Sequence, residues 1–282
     1  MSLALRILAL AAAAYLVLLA ALWAFQDRLI YLPDRTPVAE FSSDLSAYSH
    51  ISTHDGEQLQ VWRAFAQTDC PTILHLHGNG GHIGRAAPHY SAMAAQTGAG
   101  LLAVSWRGYV GSTGAPSEAG LVIDALSAFD HLVDEGVAPA DIIIHGFSLG
   151  SYPAIEVAIA RKAAFLVLEA PYVSVLALAE AQIPFAPVSW LLRDHYRSDL
   201  RISEVDEFIL MGHGAEDRVV APVQSERLLA HAPASAQRVV FAGAGHNDLL
   251  TKGFFKTSIV PAITARFPDC APAQSEPDPS AV

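Results

Sequence analysis

The pattern of apolar and polar positions changes character three times along the chain. Residues Ile7 to Phe25 run nineteen positions without a charge, long enough to cross a bilayer as a helix. From Asp27 onward short apolar runs alternate with helical periodicities. Ser46 to Thr53 and Gln58 to Phe65 predict two strands joined by a turn at His54-Asp55-Gly56. Thr72 to Leu76 is a buried strand, and further apolar strands fall near 100–105, 142–145, 165–169, 208–212 and 238–242. Helical patterns occupy 83–97, 117–136, 151–162, 222–231 and 251–266. This alternation predicts a mostly parallel sheet covered by helices on both faces. Segment 173–198, rich in Ala, Leu, Pro and Trp, interrupts it and reads as an inserted lid or short helical excursion. Prolines 268, 272, 277 and 279 mark a disordered tail. The expected organisation is a membrane anchor over 1–26, one globular domain over 27–267 and a tail over 268–282.

Composition narrows the picture. A chain of 282 residues with 52% hydrophobic content can bury a large core. Its formal net charge of −11, without a basic block, argues against nucleic acid as a partner. The apolar N-terminal run reads as an uncleaved anchor. A signal-peptide cleavage site needs small residues, and the run ends on Leu22-Trp23-Ala24-Phe25. Arg6 before the run favours a cytoplasmic N-terminus and an extracytoplasmic domain, although Arg28 and Arg35 follow closely. Cys70 and Cys270 have no metal-ligand spacing; free thiols are the expectation, with a pairing open to them in an oxidising compartment. Nothing in the pattern specifies an oligomeric state.

The candidate chemistry collects where strands end, because ligands of a parallel sheet bind beyond the carboxyl ends of its strands. Ile142 to Ile144 lead into Gly146-Phe147-Ser148-Leu149-Gly150, and a helical pattern starts at Ser151. Strand, Gly-x-Ser-x-Gly, helix is the context of a nucleophile elbow, in which the serine sits on a strained turn facing a helix N-terminus. An ordinary strand-to-helix turn is the alternative for the pentapeptide alone. After the 72–76 strand comes His77-Gly78-Asn79-Gly80-Gly81-His82. This turn can offer an Asn79 backbone N–H that, with the Leu149 N–H, would form an oxyanion hole. It lacks the Gly-Lys-Ser/Thr ending of a phosphate-binding loop. Asp217 follows the 208–212 strand and His246 the last strand, so Ser148, Asp217 and His246 occur in the chain order of a hydrolytic triad. Glu216 is the rival acid. His75, His77 and His82 form a weaker alternative, a metal-dependent site, which lacks a carboxylate at matching spacing.

The elbow, the His77-to-Gly84 loop and the run from Arg107-Gly108-Tyr109 to Gly114-Ala115-Pro116 together resemble the α/β-hydrolase superfamily. Within it the chain is similar to membrane-anchored serine hydrolases related to monoacylglycerol-lipase-like and prolyl-aminopeptidase-like enzymes. Even the exit from the apolar run, Phe25 to Pro33, has that look. The resemblance implies an α/β-hydrolase fold and an acyl-enzyme mechanism. The apolar 173–198 segment and the anchor, which place the site near lipid, point to carboxylic esters or thioesters with an apolar acyl chain, lysophospholipase-like or esterase-like. The resemblance also implies a pocket bordered by Tyr109, Gly78 and Gly80, a small-molecule or lipid acyl substrate, and no metal, nucleotide or flavin. Amidase or peptidase activity, or a non-catalytic tethered binding protein, are the other readings. One position departs from the family pattern: Val110 stands where glycine usually follows the tyrosine, so either the turn differs or Gly111 supplies the positive φ.

Overall fold

The computed structural model describes residues 2–41 and 46–270. Most of the expected tail, from residue 271 on, lies outside the described residues. Eight strands form one sheet: β1 Tyr48–Ser52, β2 Gln58–Ala64, β3 Thr72–Leu76, β4 Gly100–Val104, β5 Ile142–Phe147, β6 Phe165–Glu169, β7 Ile209–Gly214 and β8 Gln237–Phe241. Their spatial order is β1-β2-β4-β3-β5-β6-β7-β8. The β1–β2 and β2–β4 pairs are antiparallel and every later pair is parallel. The β3 to β6 strands are buried, apart from a half-buried Phe147, and mostly apolar, with Thr72, His75, His145 and Glu169 as enclosed polar exceptions. They are so because helices cover both faces and alternate side chains enter two separate cores. Leu74, Leu102, Ile144 and Leu166 point into one core with Phe129 and Ile155. Ile73, Leu101, Ile143 and Val167 point into the other with Met93, Phe254 and Ile263.

Each of the five helical patterns of the sequence contains a helix. In chain order the helices are α1 Leu3–Ile30, α2 Ile83–Ala95, α3 Glu118–Asp134, α4 Ser151–Ala160, α5 Val175–Gln182, α6 Val188–Leu191, α7 Ser198–Arg201, α8 Val223–Leu229 and α9 Val260–Arg266. The α7 helix is an addition that no periodicity marked. A helical segment, Leu250–Ile259, is kinked internally at Gly253 and runs on into α9. Serines cap three of these helices: Ser2 on α1, Ser117 on α3 and Ser174 on α5 each accept an orphan backbone N–H. The α5 and α6 helices form the inserted segment, and α1 is the one helix among the described residues long and apolar enough to cross a membrane.

Two expectations about local structure resolve here. The cysteines are not free thiols but a disulfide, Cys70–Cys270, with Cα atoms 4.6 Å apart. The few residues after α9 bring residue 270 to the β2–β3 connection, a meeting that a separation of 200 positions hides from sequence reading. At the departure from the family pattern, Gly111 takes the positive φ of +68° and Val110 is a buried core residue.

Candidate active site

Sheet order reverses around β3, whose neighbours are β4 on one side and β5 on the other. The crevice beyond the carboxyl ends of β3 and β5 is therefore a topological switch point. Ser148 sits there, immediately after β5, with φ of +50°, a region that non-glycine residues enter at a cost. Its turn requires both flanking glycines. A Cβ on Gly150 would lie 2.1 Å from the Leu76 carbonyl oxygen, and one on Gly146 would meet the Ala154 Cβ at 2.6 Å.

His246 arrives on the loop after β8, and its Nε2 lies 3.0 Å from the Ser148 Oγ. Its Nδ1 lies 2.7 Å from Asp217 Oδ2, so the ring donates through Nδ1 and faces the serine with an acceptor. The other Asp217 oxygen accepts the Val219 and Val220 N–H groups, each at 2.8 Å. His213 Nε2, fully buried, meets the Val220 carbonyl at 2.8 Å and lies 3.3 Å from Asp217 Oδ2. Burial acts to raise the Asp217 pKa. Hydrogen bonds from His213, His246 and the Val220 N–H outweigh it and hold the carboxyl well below the usual range. The acid is thus a fixed anion beneath the imidazole. Glu216 is solvent-exposed, while Asp217 is buried.

The glycine-rich loop after β3 lies beside the elbow. A Cβ on Gly78 would come within 3.1 Å of the Ser148 Cβ, so the backbone passes close to the hydroxyl. The Asn79 and Leu149 N–H groups, the two expected oxyanion donors, have no protein acceptor among the described residues. Asn79 has a second role that its sequence context does not reveal. Its Oδ1 accepts from the Leu32 N–H at 2.8 Å, the Gly80 N–H at 3.0 Å and the Tyr109 hydroxyl at 3.0 Å, while its Nδ2 donates to the Ile30 carbonyl. One side chain ties the loop to the end of α1. Tyr109, expected in the pocket wall, is buried and braces Asn79; of the loop, only Asn79 itself lines the cavity over Ser148.

That cavity is about 570 Å³ and is walled by Ser148, Leu149 and Tyr172 below, α5 and α6 on one side and Leu22, Gln26, Leu29 and Ile30 of α1 on the other. The size suits a small organic or acyl ligand. The contribution from α1 runs against the expectation that the domain begins cleanly at Asp27. The three histidines of the metal alternative do not converge. His75 Nδ1 meets His145 Nδ1, His77 Nδ1 meets the Gly78 carbonyl, and His82 Nε2 meets the Thr36 carbonyl. Sequence reasoning missed His213, although its position four residues before Asp217 at a strand end is a signal. It also missed the α1 residues, for which the linear sequence carries none.

A mostly parallel sheet with a serine on a strained strand-to-helix turn, facing a histidine–aspartate pair from the last two strand ends, is the layout of an α/β hydrolase. Residues 73–204 match the model of the alpha/beta hydrolase family. An uncharacterized protein of Mycobacterium tuberculosis (strain ATCC 25618 / H37Rv) is 38% identical over 233 residues, 80% of this chain and 82% of that one. Human alpha/beta hydrolase domain-containing protein 17C is 30% identical over 179 residues, 63% of this chain and 53% of the relative, so about half of that protein is matched. Among solved structures, an esterase of Pyrococcus furiosus superposes with a TM-score of 0.65 at 18% identity, covering 84% of this chain and 98% of that one. Est1E of Butyrivibrio proteoclasticus, with ferulic acid bound, gives 0.62 at 17% identity and covers 77% and 99%. At such identities the likeness concerns the fold. The chain belongs to the alpha/beta hydrolase family and is a hydrolase by class.

Proposed function

We propose that the protein is a membrane-anchored serine hydrolase that cleaves carboxylic esters or thioesters with an apolar acyl chain, using Ser148, Asp217 and His246. The carrying observation is the continuous line from Ser148 Oγ through His246 to Asp217, at 3.0 and 2.7 Å, on a strained elbow. Ser148 Oγ attacks the acyl carbonyl carbon as its proton passes to His246 Nε2. The carbonyl oxygen becomes an oxyanion held by the Asn79 and Leu149 N–H groups. The bond to the leaving group then breaks, the leaving oxygen or sulfur takes the proton from His246, and an acyl-Ser148 ester remains. Water, deprotonated by His246, attacks that ester; the carboxylic acid departs and Ser148 recovers its proton. Asp217 holds the Nδ1–H tautomer and stabilises the imidazolium throughout without accepting its proton.

The apolar lining of the cavity supports an acyl chain as the recognised group. The Cys70–Cys270 bond supports an extracytoplasmic domain, since structural disulfides persist in oxidising compartments. A fluorophosphonate probe should label Ser148 in the full-length protein, with hydrolysis of p-nitrophenyl esters in parallel. Ser148→Ala and His246→Ala should each lower turnover by roughly 10⁴- to 10⁶-fold, and the double variant should be little worse, because such residues act as a unit. Additive losses, or labelling at another serine, would defeat the assignment.

A further inference from the structure

The anchor helix does more than hold the domain at a surface. Its last turns are stitched to the inserted segment. Gln26, only 5% exposed, donates through Nε2 to the Leu191 carbonyl at 3.1 Å and accepts the Arg193 N–H at 2.7 Å through Oε1. Farther along, the Tyr15 hydroxyl donates to the Phe185 carbonyl at 2.7 Å. Tyr15 and Gln26 are eleven residues apart, about 16 Å of helix at about 1.5 Å per residue, so the segment lies alongside a long stretch of the apolar helix.

The charges mark a level. The Arg193 guanidinium pairs with Asp27 at 2.7 Å and lies over the Trp23 ring at 5.7 Å. Aromatic and basic groups of this kind gather at the membrane–water boundary. Toward the bilayer from that pair, residues 183–192 carry no charge, and Phe185 and Trp190 are 57% and 88% exposed. Apolar side chains left bare beside a helix apolar enough to span a bilayer are an interaction surface, and the surface continuous with this one is the bare apolar face of α1. The cavity over Ser148 is lined by both elements, with Leu22 from the helix and Ile183 from the segment.

We propose that the exit of the anchor helix is one wall of the substrate site, and that the inserted segment lies in the bilayer beside it, so that the acyl chain of a membrane-resident ester enters laterally between them. Leu22 and Leu29 are then specificity-determining residues, and Gln26 is a positioning residue that latches the segment to the helix. The proposal deepens the serine-hydrolase reading and rests on it for the chemistry; the placement of the segment can be tested without turnover.

Two measurements on the full-length protein in phosphatidylcholine proteoliposomes decide it. Lipids brominated on their acyl chains should quench the part of the tryptophan emission that Trp190→Phe removes, and acrylamide in the water should not; the reverse pattern would overturn the bilayer placement whatever the enzyme's chemistry. Leu22→Trp should lower kcat/KM for p-nitrophenyl decanoate on the order of 10-fold more than for p-nitrophenyl acetate, the scale on which a filled pocket rejects chain length. Val17→Trp, on the exposed face of the same helix, should leave that ratio unchanged. An unaltered ratio in Leu22→Trp, with Ser148 still labelled by fluorophosphonate, would remove the helix from the site while sparing the hydrolase reading. Absence of labelling in the unmutated protein would instead defeat the hydrolase reading.

Discussion

Breaking the Cys70–Cys270 bond should weaken the fold and leave the chemistry nearly intact. The bond closes a loop with a sequence separation of 200. The chain-entropy relation gives about 5 kcal/mol at 25 °C for a loop of that length, and typical measured gains are about 2–4 kcal/mol. About 3 kcal/mol is therefore the expected loss. For a domain of this size, each kcal/mol shifts Tm by about 2–4 °C, so Cys70→Ser should melt about 6–12 °C lower. The catalytic consequence is small by geometry. Cys70 precedes β3, whereas Ser148 follows β5, and these strands run parallel. The two sites thus lie at opposite ends of the sheet, about 16 Å apart along a five-residue strand at about 3.3 Å per residue.

The assay is a thermal melt of the unmutated protein, Cys70→Ser, Cys270→Ser and the double variant in one detergent, with peptide mapping under non-reducing conditions to establish the bond. All three variants should fall together, because each loses the same single link. Turnover of a short ester per folded molecule should stay within about 2-fold, far from the losses that follow removal of a reacting group. If the unmutated protein with its bond intact melted at the same temperature as the double variant, the α9 return would be held by Ile263 and Phe267 packing alone, and the entropic reasoning would fail.

Other consequences can be read from the site. Asp217→Asn should lower kcat by roughly 10⁴-fold on a short ester while the protein stays folded, because the amide stabilises the wrong imidazole tautomer; a loss below about 10-fold would show that His246 is oriented without it. Asn79→Ala keeps the backbone donor, so kcat should fall well short of the ~100- to 1000-fold cost of a deleted oxyanion donor. It should also lower stability by about 1 kcal/mol, as the Leu32, Gly80 and Tyr109 donors lose their acceptor. Gly80→Val, at φ of +67°, should harm kcat more than Asn79→Ala. Stability should fall as pH drops below about 6.5. Burial, aided by a neighbouring imidazole, keeps His75 neutral, and burial pushes the His77 pKa down to about 4. The unfolded chain takes up protons that the folded one refuses, so each ring removes about 1.4 kcal/mol per pH unit over that window. Denaturant midpoints that did not move between pH 7 and pH 5 would contradict that burial.

Where the candidate site is built from a local run of residues, its geometry is legible in the chain. Thr72 to Leu76 could be read as a buried strand because every position is apolar or enclosed. The elbow could be read because Gly146 and Gly150 are sterically compelled, by Ala154 and by the Leu76 carbonyl. Histidine and aspartate positions followed from strand ends, since a parallel sheet gathers those ends on one edge. The choice between Glu216 and Asp217 was less visible. It depends on which carboxylate the β7 turn aims inward, and the Val219 and Val220 N–H groups that capture Asp217 are backbone groups with no letter in the sequence.

The illegible part is whatever joins segments far apart in the chain. Gln26 looks like the first polar residue after an apolar run and hence like the end of an anchor. Its partners, Leu191 and Arg193, are 165 and 167 positions away. Asn79 looks like a loop residue chosen for its backbone, yet it spends its side chain on Ile30 and Leu32. Both contacts concern the same junction, where α1 meets the loop and the inserted segment. An anchor that served only to raise local concentration would need neither, because a flexible tether does that without new contacts. Two polar side chains committed to fixing the helix at a set angle and depth over Ser148 make sense when the position of the helix matters to what reaches the serine. Cutting those bonds should therefore alter selection among substrates before it alters attachment: Gln26→Leu should still fractionate with membranes, since the apolar run is unchanged, while its decanoate-to-acetate ratio of kcat/KM falls. A variant that lost membrane attachment but kept the ratio would reverse that order and reduce the junction to a hinge.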